Sequence, residues 1–197
     1  MSIYARTYPL YTMTDWTCFS YYLLNGDDMR PQNKVKAYPK GFRMIAGDST
    51  RRNFSIAGLD VKEPDPEKSL WAMLGQTKQS DLAQRAIGFN CLNYDKTPEG
   101  TLYRHYLPDK GYLDEHCPQG VRLELFFPSC WNGKDLDSPN HKDHMAYPHL
   151  VMTGRCPSGF EVKLPSLMFE TIWDTAYFKG KAGEFVMANG DPIGMSF

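Results

Sequence analysis

Apolar and polar residues alternate with a period of two along several short stretches of the chain. The clearest stretch, residues 121–127, puts four apolar side chains on one side and Arg122 and Glu124 on the other. Such alternation predicts a β-strand with one buried face. The other predicted strands are residues 18–24, 42–46, 101–107, 160–164, 168–173 and 185–188. Strands are therefore expected to dominate the fold.

Helix is predicted in only two places. Ser80 and Asp81 can cap a helix over residues 82–87 that ends near Gly88, and residues 66–74 favour a second short helix. The 14 prolines and 16 glycines are spread along the chain, so no linker is indicated. We predict one domain over residues 1–197 that is mainly β, a twisted β-sandwich-like fold with one or two short helices and long loops.

The charges exclude some classes of partner. Twenty-two Lys and Arg residues against 23 Asp and Glu residues give a formal net charge of −1. Phosphate binding depends on clustered positive charge, so no nucleic-acid partner is expected. No apolar run reaches the roughly 18 to 20 residues that span a bilayer, and residues 1–15 contain no signal-peptide-like apolar stretch.

The cysteines point instead to an oxidising environment. Four of the five lie beside Pro, Gly, Asn or Trp in loop-like settings, and none forms a Cys-x-x-Cys pair. We predict two disulfides among these four, with all three pairings open, against the alternative of buried free thiols. Cys18 is left over, because its partner is missing or because it is buried. The four are Cys91, Cys117, Cys130 and Cys156.

One segment concentrates the side chains that could carry chemistry. It reads FPSCWNGKDLDSPNHKDHMAYPH and contains three of the five histidines. A dense set of titratable groups on a loop anchored by a cysteine is typical of binding and catalytic sites. The candidate catalytic residues are Asp137, His141, Asp143, His144 and Tyr147. Trp131 and Lys142 are the candidate substrate-binding residues.

Several interpretations of this loop remain open at the level of the sequence. His141 and His144 suit a divalent metal, with Asp137 or Asp143 as a further ligand. A histidine also suits general-base catalysis on a polysaccharide, with Tyr147 or an aspartate as the acid. A third interpretation is glycan binding without turnover, and a fourth is a structural clasp in which Asp and His only stabilise turns.

The loop also resembles a known family. FPSCWNGKDLDSPNHKDHMAYP is similar to the signature of DUF1996, a fungal family of secreted proteins of unknown function. Further similar segments are residues 36–52, 117–131, 155–175 and 185–194. Family members often lie beside carbohydrate-binding modules of the WSC type. The resemblance therefore implies an extracellular protein whose partner is a polysaccharide.

The chain departs from the family pattern at its two ends. Members usually carry an upstream segment with a signal peptide and a His-x-His stretch, and a glycine- and histidine-containing stretch after the NGDP motif. This chain ends at Met195-Ser196-Phe197, so we expect an incomplete copy of the family domain. The resulting hypothesis is an uncharacterised extracellular fungal-type protein that acts on cell-wall or plant polysaccharide through the His/Asp loop. The alternatives are a non-catalytic glycan-binding or cell-wall structural protein, and a metal-binding protein.

Overall fold

The computed structural model describes residues 3–6, 11–12, 16–26, 34–56 and 58–187. The strands in this part of the chain are β1 (Ile3–Arg6), β2 (Tyr11–Thr12), β3 (Trp16–Leu23), β4 (Ile87–Cys91), β5 (Val121–Phe126), β6 (Cys130–Trp131), β7 (Met145–Ala146), β8 (Val162–Lys163), β9 (Ser166–Trp173) and β10 (Glu184–Met187). The helices are α1 (Gln79–Arg85) and α2 (Lys110–His116), and 3₁₀ turns occupy Lys68–Leu70 and Thr175–Phe178.

All strand pairs between these elements are antiparallel. A four-stranded sheet has the order β3-β9-β5-β4, and two three-stranded sheets have the orders β10-β1-β2 and β7-β6-β8. The two eight-residue strands β3 and β9 pair along their full length, from Trp16 opposite Trp173 to Leu23 opposite Ser166. The predicted mainly-β class is confirmed.

The first hydrophobic core covers one face of the four-stranded sheet. The alternation in residues 121–127 is confirmed, because its four apolar side chains all belong to this core. Leu113 of α2 and Trp173 of β9 pack into the same cluster. Fully burying an aliphatic or aromatic side chain of this size contributes about 1.5–3 kcal/mol, so this cluster is a main source of stability.

A second core covers part of the opposite face of the sheet. Leu82 of α1, Trp71, Phe126 and Met168 pack together there. β5 is therefore buried on both faces, although its sequence alternates like a half-exposed strand. For this reason Glu124 is fully buried even though it lies on the polar side of the pattern.

Two predicted strands are not strands in the structure. In residues 42–46 the alternation does reflect burial, since Met44 and Ala46 pack against the first core and Ile45 is exposed. The backbone, however, pairs with a loop: Arg43 N–H donates to Leu136 O and Ile45 N–H donates to His141 O. In residues 101–107 the chain turns, because Leu102 adopts a positive φ of 58°.

The helices also differ from prediction. α1 begins at Gln79 without a side-chain cap and ends before Ala86, since Ile87 already belongs to β4. Residues 66–74 contain only the 3₁₀ turn Lys68–Leu70. α2 has no counterpart among the elements predicted from the sequence; Asp109 caps it by accepting the Tyr112 N–H at 2.9 Å.

The predicted pair of disulfides is confirmed. Cys91 bonds Cys117 and Cys130 bonds Cys156, each across a sequence separation of 26. Cys18 is free and exposed, so the expectation that it is buried is wrong. The predicted turn at residues 189–192 lies outside the described residues. Within the described ranges, no helix is long and apolar enough to cross a membrane.

Candidate functional site

The candidate loop, residues 132–144, joins β6 to β7 and is stiffened by its own side chains. Asn132 Oδ1 accepts the N–H groups of Lys134 and Asp135, both at 3.1 Å. Asn140 Oδ1 accepts the N–H groups of Lys142 and Asp143, both at 3.0 Å. These hydrogen bonds to asparagine side chains take the place of bonds to water in a segment without regular secondary structure. The Cys130–Cys156 disulfide anchors the start of the loop to the segment before β8.

Asp137 and His141 form a close pair on this loop. His141 Nδ1 lies 2.6 Å from Asp137 Oδ1, which also accepts the Ser138 N–H at 2.8 Å. The hydrogen bond from His141 lowers the pKa of Asp137, so its carboxyl is ionised and can only accept. Nδ1 of His141 is therefore the nitrogen that donates to Asp137, and Nε2 is left for another partner.

The backbone of His141 is held in an uncommon conformation. Its φ is +56°, its N–H donates to Ser138 O and its O accepts the Ile45 N–H. A non-glycine residue at positive φ is uncommon and is often found at functional sites. The His141 side chain is 45% exposed. Because no partner of Nε2 is found among the described residues, this nitrogen can reach a ligand.

The residues that follow His141 line a groove with a volume of about 290 Å³. Lys142, Asp143 and Tyr147 line it together with Ser80. Lys142 Nζ is held by Gly47 O at 2.5 Å. Ile45 also lines the groove, and it is the residue that donates its N–H to His141 O. The side chains of His141 and Asp137 do not line the groove themselves; the backbone of His141 contacts its wall at Ile45.

His144 and Tyr147 are placed differently from His141. His144 is buried, with Nε2 at 2.7 Å from Arg43 O and Nδ1 at 2.9 Å from Ser138 Oγ. The hydroxyl of Tyr147 donates to Phe126 O at 2.9 Å inside the second core, and burial raises its pKa. Both side chains thus hold the loop against the rest of the fold in this structure.

Trp131 is half-buried at the start of the loop. Its Nε1–H donates to Asp135 O at 2.8 Å, and its ring packs edge-on against Phe42 with centroids 5.9 Å apart. Phe42 also contacts the ring of His144, at a centroid distance of 5.2 Å. Trp131 therefore connects the loop to residues 42–46.

The metal interpretation finds no ligand set in the described part of the chain. No group of three or more His, Cys, Asp or Glu side chains lies there in a metal-binding arrangement. Both ring nitrogens of His144 already lie within hydrogen-bonding distance of protein oxygens, so His144 has no ring nitrogen left to bind a metal together with His141. The histidines are close in sequence but serve different contacts.

Three features of the molecule were missed by the sequence analysis. The groove takes Asp48, Arg51 and Ser80 from segments far from the loop. A second histidine–aspartate pair, His105 and Asp65, lies elsewhere in the fold. A charged cluster on the sheet is formed by Arg122, Glu124 and Glu170. None of the three has a local sequence motif. The charged residues Arg122 and Glu124 inside the apolar strand β5 could nevertheless have indicated the charged cluster.

The comparisons with known proteins agree with the motifs in the loop. The family model described as "Domain of unknown function (DUF1996)" matches residues 4–197. No curated protein and no solved structure matches the chain. Since the family match spans nearly the whole sequence, it includes the loop, both disulfides and the four-stranded sheet. The chain belongs to the DUF1996 domain family.

Proposed function

We propose that this protein is an extracellular enzyme that hydrolyses a polysaccharide, with His141 as the catalytic base. The observation that carries the proposal is the Asp137–His141 pair, with 2.6 Å between Oδ1 and Nδ1 and a His141 side chain that is 45% exposed. A carboxylate that fixes one imidazole nitrogen leaves the other correctly oriented to take a proton. Two disulfides are typical of proteins in oxidising, extracellular compartments.

The reaction needs one proton acceptor that becomes a proton donor. Nε2 of His141 takes a proton from water while the water oxygen forms a bond to the reacting carbon of the glycan. The bond from that carbon to the leaving oxygen breaks, and the imidazolium returns its proton to that oxygen. The net change is the addition of one water molecule. Asp137 is a positioning residue, since it acts through His141.

The groove beside His141 supports a hydroxyl-rich ligand. Its rim combines donors and acceptors of both charges, Arg51 and Lys142 with Asp48 and Asp143. Such a balanced set favours a ligand with many hydroxyl groups over one with a large net charge. Lys142 and Asp143 are the proposed binding residues, because they follow the catalytic base directly and face the same groove.

The test is a screen of the purified protein against fungal and plant polysaccharides, with released sugar as the readout. We expect His141→Gln to lower turnover by about 10²–10⁴-fold, the usual contribution of a general base. Asp137→Asn should also lower turnover, because an amide can donate to Nδ1 and reverse the tautomer. His116→Gln is the matched control, since His116 is 40% exposed and lies beside Glu115.

Two results would contradict the proposal. If His141→Gln retains the turnover of the wild type, the pair is not the catalytic centre. If the wild type binds polysaccharide and releases nothing, the protein is a glycan-binding protein without turnover. Thermal unfolding of each variant shows whether a loss of turnover comes from loss of the fold.

A further inference from the structure

A second polar site lies on the face of the four-stranded sheet that the second core only partly covers. Side chains alternate between the two faces of a strand, and paired residues in neighbouring strands share a face. Glu170 of β9 pairs with Glu124 of β5 on one side and with Phe19 of β3 on the other. Arg122 lies two residues from Glu124 in β5, and Tyr21 lies two residues from Phe19 in β3, so both share this face. We call Phe19, Tyr21, Arg122 and Glu170 the open sheet face.

An arginine on this face is held between two glutamates. Arg122 Nε lies 3.1 Å from Glu124 Oε1 and 3.7 Å from Glu170 Oε2. Glu124 is fully buried and accepts the Leu102 N–H at 2.6 Å through its other oxygen. Burial raises the pKa of Glu124. Neither Arg122 Nε nor Glu124 Oε1 makes a hydrogen bond of good geometry, although both atoms are buried.

Arg122 of this cluster reaches solvent, whereas Glu170 is buried, with 8% of its surface exposed. The Arg122 side chain is 24% exposed, and no hydrogen bond from its two terminal nitrogens to another described residue is found. Glu170 accepts a long hydrogen bond of 3.4 Å from the Tyr21 hydroxyl. Glu124 does not reach a ligand itself; it positions the guanidinium. Arg122 thus presents a planar donor, with Glu170 as its buried partner.

Two exposed aromatic rings lie beside these polar groups. Phe19 is 42% exposed and Tyr21 is 39% exposed, and their ring centroids are 6.3 Å apart. Single exposed apolar residues are common, but neighbouring aromatic side chains on one surface usually mark a binding site. Rings of this kind pack against flat apolar surfaces, while the adjacent polar groups fix orientation.

We propose that the open sheet face is a binding site for a neutral sugar residue of a glycan. The apolar C–H face of a pyranose packs on Phe19 and Tyr21, and a neighbouring hydroxyl accepts a hydrogen bond from Arg122, which Glu170 helps to position. Arg122 already has Glu124 and Glu170 beside it, so it offers no uncompensated positive charge to an acidic sugar, which is why the ligand is neutral. The site shares its class of ligand with the proposed function and rests on it in that respect only.

The experiment measures binding by calorimetry with soluble probes. The neutral probes are cellohexaose, laminarihexaose and xylohexaose, and the acidic probe is hexagalacturonate. We expect a neutral probe to bind, and Phe19→Ala and Tyr21→Ala each to weaken its binding at least tenfold. Tyr94→Ala is the matched control, since Tyr94 is an exposed aromatic residue away from this face. Far-ultraviolet circular dichroism confirms that each variant is folded.

The outcomes separate this site from the proposed catalytic loop. His141→Gln should retain the affinity of the wild type, because it leaves the open sheet face unchanged. The inference is overturned if no neutral probe binds, if both alanine variants bind like the wild type, or if hexagalacturonate binds more tightly. It is also overturned if His141→Gln loses affinity as Phe19→Ala does. If binding follows the expected pattern and no glycan is turned over, the proposed function fails and this inference holds.

Discussion

The protein contains two histidine–aspartate pairs with opposite surroundings. In the loop, His141 Nδ1 contacts Asp137, no partner of its other ring nitrogen is found in the described part of the chain, and the side chain is partly exposed. In the buried pair, His105 Nδ1 lies 2.6 Å from Ile87 O and Nε2 lies 3.2 Å from Asp65 Oδ2. The same two residue types therefore form a partly exposed pair in one place and an enclosed contact in the other.

The buried pair is reinforced by an arginine. Arg85 is fully buried, donates from Nε to Asp65 Oδ2 at 2.8 Å and packs under the ring of Trp71 at 4.0 Å. Phe54 stacks on His105 with centroids 6.5 Å apart. The comparison teaches that a free ring nitrogen and access to solvent, and not the pairing itself, separate a reactive histidine from a structural one.

The largest expected difference between the two pairs comes from removing the aspartate of each. Asp65→Ala leaves Arg85 buried without a counter-charge, which should lower the free energy of unfolding by about 3–5 kcal/mol. Asp137→Ala removes an exposed partner on a loop and should leave stability close to that of the wild type. Urea unfolding of both variants measures the difference. Equal losses would show that the two pairs do the same structural work.

A slightly smaller effect is expected from removing the disulfide that anchors the loop. Closing 26 residues contributes about 3.5 kcal/mol in the chain-entropy description, so replacing Cys130 and Cys156 by Ser should cost about that amount. Amide hydrogen exchange should then become faster in residues 132–144 and remain slow around His105.

The other disulfide supplies the matched control. Cys91 and Cys117 have the same separation of 26, so their replacement by Ser should cost a similar free energy. It should not speed exchange in the loop, because that disulfide joins the ends of β4 and α2. Faster exchange in the loop of both variants would mean that the loop depends on global stability and not on its own anchor.

The pH dependence of stability should separate the pairs further. Burial raises the pKa of Asp65, but hydrogen bonds from His105 and Arg85 outweigh it and leave the pKa below the ordinary 3.8. The contribution of ionised Asp65 to the free energy of unfolding is therefore complete above pH 3.8. It is lost as the pH falls through the lowered pKa that Asp65 has in the folded protein. The stability difference between wild type and Asp65→Asn should shrink on acidification. A constant difference down to pH 2 would contradict this.

The smallest effect is expected at the left-handed backbone of His141. Glycine adopts positive φ without strain but makes the unfolded chain more flexible, so His141→Gly should change stability by less than about 1 kcal/mol. His105→Ala should cost about 2 kcal/mol, since it leaves the buried Ile87 carbonyl unpaired. Thermal unfolding checks both, and a large loss at His141 would indicate a structural role.

The sequence predicted the fold best where burial follows a simple period. β5 and β9 were expected near their observed positions because inward and outward side chains alternate along them. Residues 42–46 alternate as well, yet they pair with a loop at Leu136 and His141. Periodicity reports which side chains are buried, but the hydrogen-bonding partner comes from a distant part of the chain.

The candidate loop was located from sequence because its polar residues are consecutive. Their separate roles could not be predicted, since His141 and His144 differ only in which oxygens the folded chain brings to them. Asp65 and His105 lie 40 residues apart, and Glu124 and Glu170 meet only through strand register. Such pairs have no local signature.

The spacing of the cysteines affects how the chain can mature. The two bonded stretches follow one another without overlap, so neither disulfide encloses or threads the other. A chain delivered from its N-terminus into an oxidising compartment can join Cys91 to Cys117 before Cys130 has emerged. The exposed thiol of Cys18 is then the principal competitor for a wrong partner. Replacing Cys18 by Ser should therefore raise the yield of correctly oxidised protein without changing either native crosslink.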